Sequence, residues 1–335
     1  MATISDVAKK AGLSVSTVSR VINRKPHVSP EKEAKVKAAM LELGYQPMPA
    51  ARKLRGSKSK TLVVTVPRIT NPFFSDLVDA IERTLDVKGY TVILIQTFGR
   101  KDKELAALEL LKNHTADGAI LCSIENEIAL IEDYQKFGVI VLVNEYNKDL
   151  NLPSIYADQY QGFKNATEEL IKRGYRNIAY VTGHKSINLT NQKRGDLNSD
   201  RFAGFLGVIR KNKLLFNSDM LFTNVQTIDD GRKLFNKIYI GNVKIDAIIS
   251  GSDEVAIGIM ESARQKEVKI PSDLGVLGVD NQPLSNDLFI PLSSLQQPTQ
   301  QMGTEAAHTM LSILEKNLIP QNRVFSLKLI SRKSI

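Results

Sequence analysis

The segment DVAKKAGLSVSTVSRVINRKPHVSPEKEAKVKAAMLELGYQP, residues 6–47, has the apolar spacing of three short helices in succession. Thr3 stands three residues before Asp6, which is the spacing of a helix-capping box. Gly12 follows the first apolar group at a position that suits a turn. The pattern therefore predicts a first helix that packs through Ile4, Val7, Ala8 and Ala11.

Two further helices follow this turn. Ser14 can cap a second helix that runs to Asn23, and Ser29 followed by Pro30 predicts the start of a third helix, which stops at Gly44. Their predicted buried positions are Val18, Val21 and Ile22 in the second helix and Val36, Ala39, Met40 and Leu43 in the third. The other face of the second helix carries Val15, Ser16, Ser19, Arg20 and Asn23.

Positive charge is confined to the same end of the chain. Residues 1–60 carry 13 Lys and Arg against 4 Asp and Glu, so their charge of +9 equals the net charge of the whole chain. A solvated basic tail would lack the apolar periodicity seen here. Three small helices with a basic exterior predict a helix-turn-helix module that binds DNA, although similar helix pairs also occur in proteins that do not.

Composition excludes several other classes of protein. The 335 residues are 42% apolar and 24% charged, which is ordinary for a globular chain. A single cysteine, Cys122, rules out an intramolecular disulfide and a cysteine-rich zinc site. Without an apolar leader or a run of about 18 apolar residues, we expect a cytoplasmic protein. The four histidines lack metal-ligand spacing and no catalytic motif is present, so we expect no cofactor and no enzymatic activity.

From Thr61 onward, short apolar runs alternate with helical stretches. This alternation predicts parallel sheets covered by helices on both faces. Predicted strands are TLVVTV, TVILIQT, GAILC, VIVLVN, NIAYVTG, AIISG and LGVLGVD, and predicted helices lie at 73–88, 101–113, 127–136, 199–212 and 253–266. The alternation is long enough for two lobes.

Residues 6–47 strongly resemble the headpiece of the lactose/galactose repressor (LacI/GalR) family of bacterial transcriptional regulators, and the resemblance covers essentially the whole chain. It implies a small all-α headpiece at 1–48, a hinge at 49–60, and an α/β body with the periplasmic-binding-protein-like fold. In that fold two doubly wound parallel-sheet lobes are joined by three chain crossings. We expect one lobe at 61–158 with 290–320 and the other at 159–289 with 321–335.

The resemblance also implies where DNA is bound. The second helix would lie in the major groove, and the hinge segment AARKLRGSKSK, residues 50–60, would become helical on the operator, with Leu54 as a minor-groove wedge. A flexible linker is the alternative interpretation of that segment. The predicted DNA-binding residues are Val15, Ser16, Thr17, Ser19, Arg20, Asn23, His27, Leu54 and Arg55.

Polar residues that directly follow predicted strands are candidates for binding a small molecule, because ligands of open α/β sheets bind beyond the carboxyl ends of the strands. DRFAGF, residues 200–205, and GVDN, residues 278–281, resemble the effector-binding motifs of the family. The predicted effector-binding residues are Phe73, Phe74, Asn144, Arg201, Ser252 and Asp280. Asp253 could instead cap a helix, and Phe73 and Phe74 could belong to the core.

Two features depart from the family pattern. Residues 184–198, up to Ser199, are longer and more polar than the usual connection beside Arg201. Val279 also occupies a position where an aromatic residue is more usual, which puts the pocket wall in doubt. The identity of the effector therefore cannot be carried over from the family.

These features together predict a homodimeric repressor of a carbohydrate or nucleoside operon. It would bind a pseudopalindromic double-stranded operator and respond to a sugar, sugar phosphate or nucleoside held between the lobes. A phosphoprotein co-repressor, as in the catabolite-control branch of the family, is the alternative partner. A sugar-modifying enzyme built on the polar strand ends is a further alternative, but it would not need residues 1–60.

Overall fold

The computed structural model describes residues 2–22, 26, 28–45, 59–149, 151–185, 187, 194–241, 243–316, 318 and 321–335. The chain divides into two units, Met1–Ser59 and Lys60–Ile335.

In the first unit, three helices surround a small apolar core. They are α1 (Ile4–Ala11), α2 (Val15–Ile22) and α3 (Pro30–Glu42). The predicted capping box of Thr3 and Asp6 is confirmed, and Gly12 ends α1 in the left-handed conformation with φ 65°. Ser29 caps α3 with Pro30 at its first position, also as predicted. The fully buried core residues are Val7, Ala8, Val18, Val36 and Ala39.

The second unit contains two six-stranded sheets. The first sheet has the order β11-β5-β4-β3-β1-β2, and all of its neighbouring strands are parallel. The strands of this sheet are β1 (Thr61–Val66), β2 (Thr91–Gln96), β3 (Gly118–Leu121), β4 (Val139–Val143), β5 (Ser154–Ala157) and β11 (Arg323–Phe325).

The second sheet has the order β12-β10-β9-β8-β6-β7 and is parallel except where β12 runs antiparallel to β10. Its strands are β6 (Ile178–Val181), β7 (Leu221–Phe222), β8 (Ala247–Ile249), β9 (Gly275–Asp280), β10 (Ser293–Gln296) and β12 (Lys328–Ile330).

Helices cover both faces of each sheet. Alternate residues of β1 enter two different cores, since Leu62 and Val64 face one apolar cluster and Val63 faces the other. Ile178 and Ala179 divide in the same way between the two cores of the second sheet. The helices are α4 (Pro72–Asp86), α5 (Lys101–Lys112), α6 (Ile128–Asp133), α7 (Gln159–Lys172), α8 (Leu197–Lys211), α9 (Ile228–Ile240), α10 (Asp253–Gln265), α11 (Leu284–Asp287) and α12 (Thr299–Lys316).

The chain crosses between the two sheets three times, after β5, after β10 and after β11. The prediction that 290–320 lies wholly in the first lobe was wrong, because β10 is in the second sheet between β9 and β12. Leu292 and Leu295 are buried in the cores of that sheet and hold β10 there. The third crossing also comes later than predicted, because Arg323–Phe325 pairs with β5 in the first sheet.

Candidate functional site

The second helix of the first unit presents a polar face. Val18 is fully buried, whereas Val15 is 41% exposed and Ser16 and Arg20 are exposed. Thr17 and Ser19 are half-buried. The structure thus separates a buried packing face from an exposed face, and this division of the helix is as the sequence predicts.

The start of this helix is fixed by local hydrogen bonds. The Thr17 backbone N–H donates to the Ser14 hydroxyl at 3.2 Å, so Ser14 caps the helix. The same hydroxyl lies 2.9 Å from the hydroxyls of Ser16 and Thr17. Four predicted DNA-binding residues, Asn23, His27, Leu54 and Arg55, lie outside the described residues.

In the second unit, the carboxyl ends of the parallel strands carry polar side chains. The loops after β1 and β4 face the second lobe directly, because their side chains contact residues of α8, α10 and the β9–α11 loop. Candidate ligand residues from both lobes are therefore placed along one cleft.

Arg201 lies in the first turns of α8 and is half-buried. Its Nε–H donates to Gln159 Oε1 at 2.8 Å, and its guanidinium carbon lies 5.3 Å from the centre of the Phe163 ring. The terminal nitrogens of Arg201 have no partner among the described residues. As far as the described residues show, both terminal NH₂ groups of this one cation remain open to a ligand.

Asp280 ends β9 in a left-handed backbone conformation, with φ 103°. One carboxylate oxygen accepts a hydrogen bond from Gln297 Nε2 at 2.9 Å. Burial, with the nearby charge of Asp253, raises the pKa of Asp280 to about 7, although the Gln297 hydrogen bond and Arg201 lower it. The group can therefore accept or donate a proton near neutral pH.

Asn144 and Glu145 follow β4. Asn144 has φ 69°, is only 6% exposed, and its Oδ1 has no partner among the described atoms. Glu145 is half-buried and has no hydrogen-bond or ion-pair partner among the described residues. Burial raises the pKa of Glu145 to about 7, while the charge of Arg201 lowers it. Glu145 is not among the effector-binding residues predicted from the sequence.

Ser252, rather than Asp253, caps α10. Its hydroxyl accepts from the Val255 backbone N–H at 3.4 Å. The capping alternative for Asp253 is therefore wrong. The fully buried Asp253 carboxylate instead accepts hydrogen bonds from the hydroxyls of Ser285 and Ser294, both at 2.6 Å, and from the Gln282 backbone at 2.7 Å.

The predicted aromatic wall lies mainly in the core. Phe73 is 5% exposed within the core of the first lobe, and the half-buried Phe74 packs edge-on against it with ring centres 4.9 Å apart. Val279 is fully buried in the core of the second lobe. The departure from the family pattern at position 279, valine in place of an aromatic residue, thus lies in the core of the second lobe.

Direct contacts join the two lobes on one side of the cleft. Arg68 forms an ion pair with Glu254, and Asn71 Nδ2 donates to the same carboxylate at 3.1 Å. Gln282 Nε2 donates to Asn71 Oδ1 at 3.1 Å. The sequence analysis did not identify these residues, because each pair is more than a hundred residues apart along the chain.

A second set of contacts joins the lobes near Arg201. The Tyr146 hydroxyl donates to Asp200 at 2.9 Å, and the Lys148 N–H donates to the Gly195 carbonyl at 2.8 Å. An isolated β-bridge links Asn147 to Asp196. The described end of the unusual 184–198 segment therefore contacts the loop that carries Glu145.

Within the described ranges, no three His, Cys, Asp or Glu side chains come together as a metal site. No helix in the part of the chain described by the structure is long and apolar enough to span a bilayer.

Comparison with known proteins identifies both parts of the chain. Residues 3–48 match the family of bacterial regulatory proteins, lacI family, and residues 59–329 match the periplasmic binding proteins and sugar binding domain of LacI family. The chain is 33% identical to the NTD biosynthesis operon regulator NtdR of Bacillus subtilis over the full length of both proteins. It is also 33% identical to a ribose operon repressor of Halalkalibacterium halodurans, covering 94% of this chain and 91% of the repressor.

A solved structure gives the same assignment. A LacI family transcriptional regulator from Lactobacillus casei with bound glucose is 32% identical, with a TM-score of 0.73, over 82% of this chain and 99% of that one. Both the headpiece and the body thus match the same group of proteins. The chain belongs to the LacI family of DNA-binding transcriptional regulators.

Proposed function

We propose that this chain is a homodimeric repressor of a carbohydrate or nucleoside operon, controlled by a polar effector bound between Arg201 and Asp280. The observation that carries this proposal is that, within the described ranges, Arg201 has donors without a partner and Asn144 Oδ1 is an unpartnered acceptor at the carboxyl ends of the strands. A guanidinium and carboxyl and amide oxygens together match the donors and acceptors of a sugar or nucleoside.

The family relationships support this class of ligand. The similar Lactobacillus casei regulator holds glucose, and one relative is a repressor of a ribose operon. The open donors of Arg201 and the unpaired Asn144 Oδ1 among the described residues favour a small polyol over a protein co-repressor as the controlling partner. Membership in a family of regulators likewise favours binding over turnover of that ligand.

The effector assignment can be tested with glucose, ribose, glucose 6-phosphate and adenosine in a thermal-shift screen, since a ligand of the folded state raises its melting temperature. Operator would then be titrated with and without the active compound. Arg201→Ala should still bind operator but lose about 10- to 100-fold in effector affinity, because a charge-assisted hydrogen bond contributes about 1.5–3 kcal/mol.

Arg83→Ala is the matched control, because Arg83 is exposed and pairs with Asp79 within α4. A wild-type effector response in Arg201→Ala would remove this arginine from the site. Failure of all four compounds to shift the melting temperature would reject the sugar and nucleoside classes that they represent.

We also propose that the exposed face of α2 reads the operator sequence. Arg20 can form a bidentate contact with guanine, and Val15 and Ser16 are short enough to approach base edges. Exchanging Val15 and Ser16 should change the preferred operator in a selection from randomised DNA. An unchanged consensus would contradict this assignment.

A further inference from the structure

Gln159 and Gln297 have buried side chains, although neither residue belongs to the proposed ligand site. Gln159 is 0% exposed and Gln297 is 3% exposed. A buried primary amide is costly unless its donors and acceptor are paired. Both polar atoms of each amide are hydrogen-bonded within the protein, whereas Asn144 Oδ1 has no described partner, so the burial of the two glutamines has another role.

Both amides belong to one chain of hydrogen bonds. Arg201 Nε donates to Gln159 Oε1 at 2.8 Å, Gln159 Nε2 donates to Gln297 Oε1 at 3.1 Å, and Gln297 Nε2 donates to Asp280 at 2.9 Å. The four side chains therefore connect the proposed cationic and anionic ligand residues. We call this set the glutamine relay.

When Asp280 is ionised, the orientation of each amide in the relay is determined by its two neighbours. Arg201 can only donate, so Gln159 must turn its oxygen toward it. An ionised Asp280 can only accept, so Gln297 must turn its NH₂ group toward the carboxylate. These two requirements leave the Gln159 NH₂ group facing the Gln297 oxygen, which is the third bond of the relay.

The two glutamines occupy crossings between the lobes. Gln159 begins α7, two residues after β5 ends in the first sheet. Gln297 directly follows β10 of the second sheet, and its carbonyl accepts from the Thr299 N–H at 2.9 Å where α12 begins. Arg201 and Asp280 are thus each hydrogen-bonded to a segment at a crossing between the lobes.

We propose that Gln159 and Gln297 are positioning residues that couple Arg201 and Asp280 to the two crossings. Through these bonds, a change at Arg201 affects the crossing that contains Gln297, and a change at Asp280 affects the crossing that contains Gln159. The identification of Arg201 and Asp280 as ligand residues rests on the proposed function, whereas the coupling itself rests on the relay.

Hydrogen exchange of the full-length protein, measured by mass spectrometry without effector or operator, tests the coupling. Arg201→Met should accelerate exchange in residues 296–301 by about threefold or more, because relay bonds that support that crossing are weakened. In a Gln159→Met background the same arginine substitution should cause no further acceleration there.

Arg232→Met is the matched control, because Arg232 is paired with Glu261 within the second lobe and lies outside the relay. It should leave exchange in 296–301 unchanged. Acceleration confined to the neighbours of Arg201, with 296–301 at the wild-type rate, would overturn the proposal.

Gln159→Glu provides a second variant if Gln159→Met does not fold. It keeps an acceptor for Arg201 but loses the donor for Gln297, so exchange should accelerate in 296–301 while α8 stays protected. An unchanged rate in 296–301 would also overturn the relay. Because no effector is present in these measurements, their outcome is independent of whether Arg201 proves to bind one.

Discussion

Glu145 is a carboxylate that has no hydrogen-bond or ion-pair partner among the described residues. It follows β4, is half-buried, and faces a region that contains Arg201 but also Asp196, Glu125 and Glu104. Burial raises its pKa from 4.5 to about 7. The pKa of the Glu145 carboxyl group is higher in the folded protein than in the unfolded chain. Its favourable contribution to folding is therefore fully present below about pH 4.5, where the group is neutral in both states. That contribution is lost as the pH rises through about 7.

Glu145→Gln should therefore change the pH dependence of stability. At pH 8.5 the variant should be more stable than the wild type by on the order of 1–2 kcal/mol, a range reduced for partial solvent exposure of the carboxylate. At pH 5 the difference should be much smaller. Urea unfolding at the two pH values measures both quantities.

Glu82→Gln is the control for this substitution, since Glu82 is exposed on α4. It should change stability by less than about 0.5 kcal/mol at either pH. Equal effects of Glu145→Gln at pH 5 and pH 8.5 would show that the carboxyl group does not titrate as the structure indicates.

At the scale of elements, α9 and α10 pack closely enough that their backbones touch at two glycines. A Cβ on Gly258 would lie 1.9 Å from the Ile228 carbonyl oxygen, and one on Gly231 would lie 2.3 Å from the Val255 carbonyl oxygen. Backbone atoms cannot move aside as a flexible side chain can. The distance between these helices is thus set by the absence of side chains at their contact.

Gly258→Ala should destabilise the body by about 1–3 kcal/mol, because the added methyl group forces the helices apart. Gly207→Ala, in α8, is a matched control with no atom within 4 Å of the new Cβ. It should stabilise the protein by about 0.5–1 kcal/mol, since alanine is the better helix former. Urea unfolding of the two variants should give opposite signs, and equal signs would contradict the packing argument.

The success of sequence reasoning also differed between elements. The start and end of α1 and the start of α3 were predictable from local signals. Thr3, Asp6 and Ser29 cap the first turn of a helix and Gly12 ends one, so each acts within one turn of its own position. Arg323–Phe325 was assigned to the wrong lobe because a three-residue strand is defined by its partner, β5, rather than by its own pattern.

For the whole molecule, the two-lobed architecture could be predicted from alternating strands and helices, together with the family resemblance. The site could be predicted only in part. Arg201 and Asp280 stand in recognisable motifs, whereas Gln159 and Gln297 are 138 residues apart and meet only because two chain crossings lie side by side. No local pattern marks a glutamine for such a contact, since burial and pairing are properties of the folded chain.

Assembly into a dimer is the remaining property of the whole molecule, and members of this family bind operator DNA as dimers. On the second lobe an apolar cavity of about 510 Å³ is lined by residues that include Ile257, Met260, Leu288 and Ile290. Phe289 also lines this cavity and is 94% exposed. A phenylalanine left in water next to an apolar cavity is typical of a surface that is covered in the assembled protein.

We therefore expect this surface to contact a second copy of the chain. Phe289→Asp should shift the protein from dimer to monomer at micromolar concentration and weaken operator binding, because a buried unpaired charge is costly at an interface. Leu215→Asp serves as the control, since Leu215 is also 69% exposed but does not line the cavity. Sedimentation velocity measures the oligomeric state of both variants. If Phe289→Asp sediments as the same dimer as the Leu215→Asp control, the dimer forms through another surface.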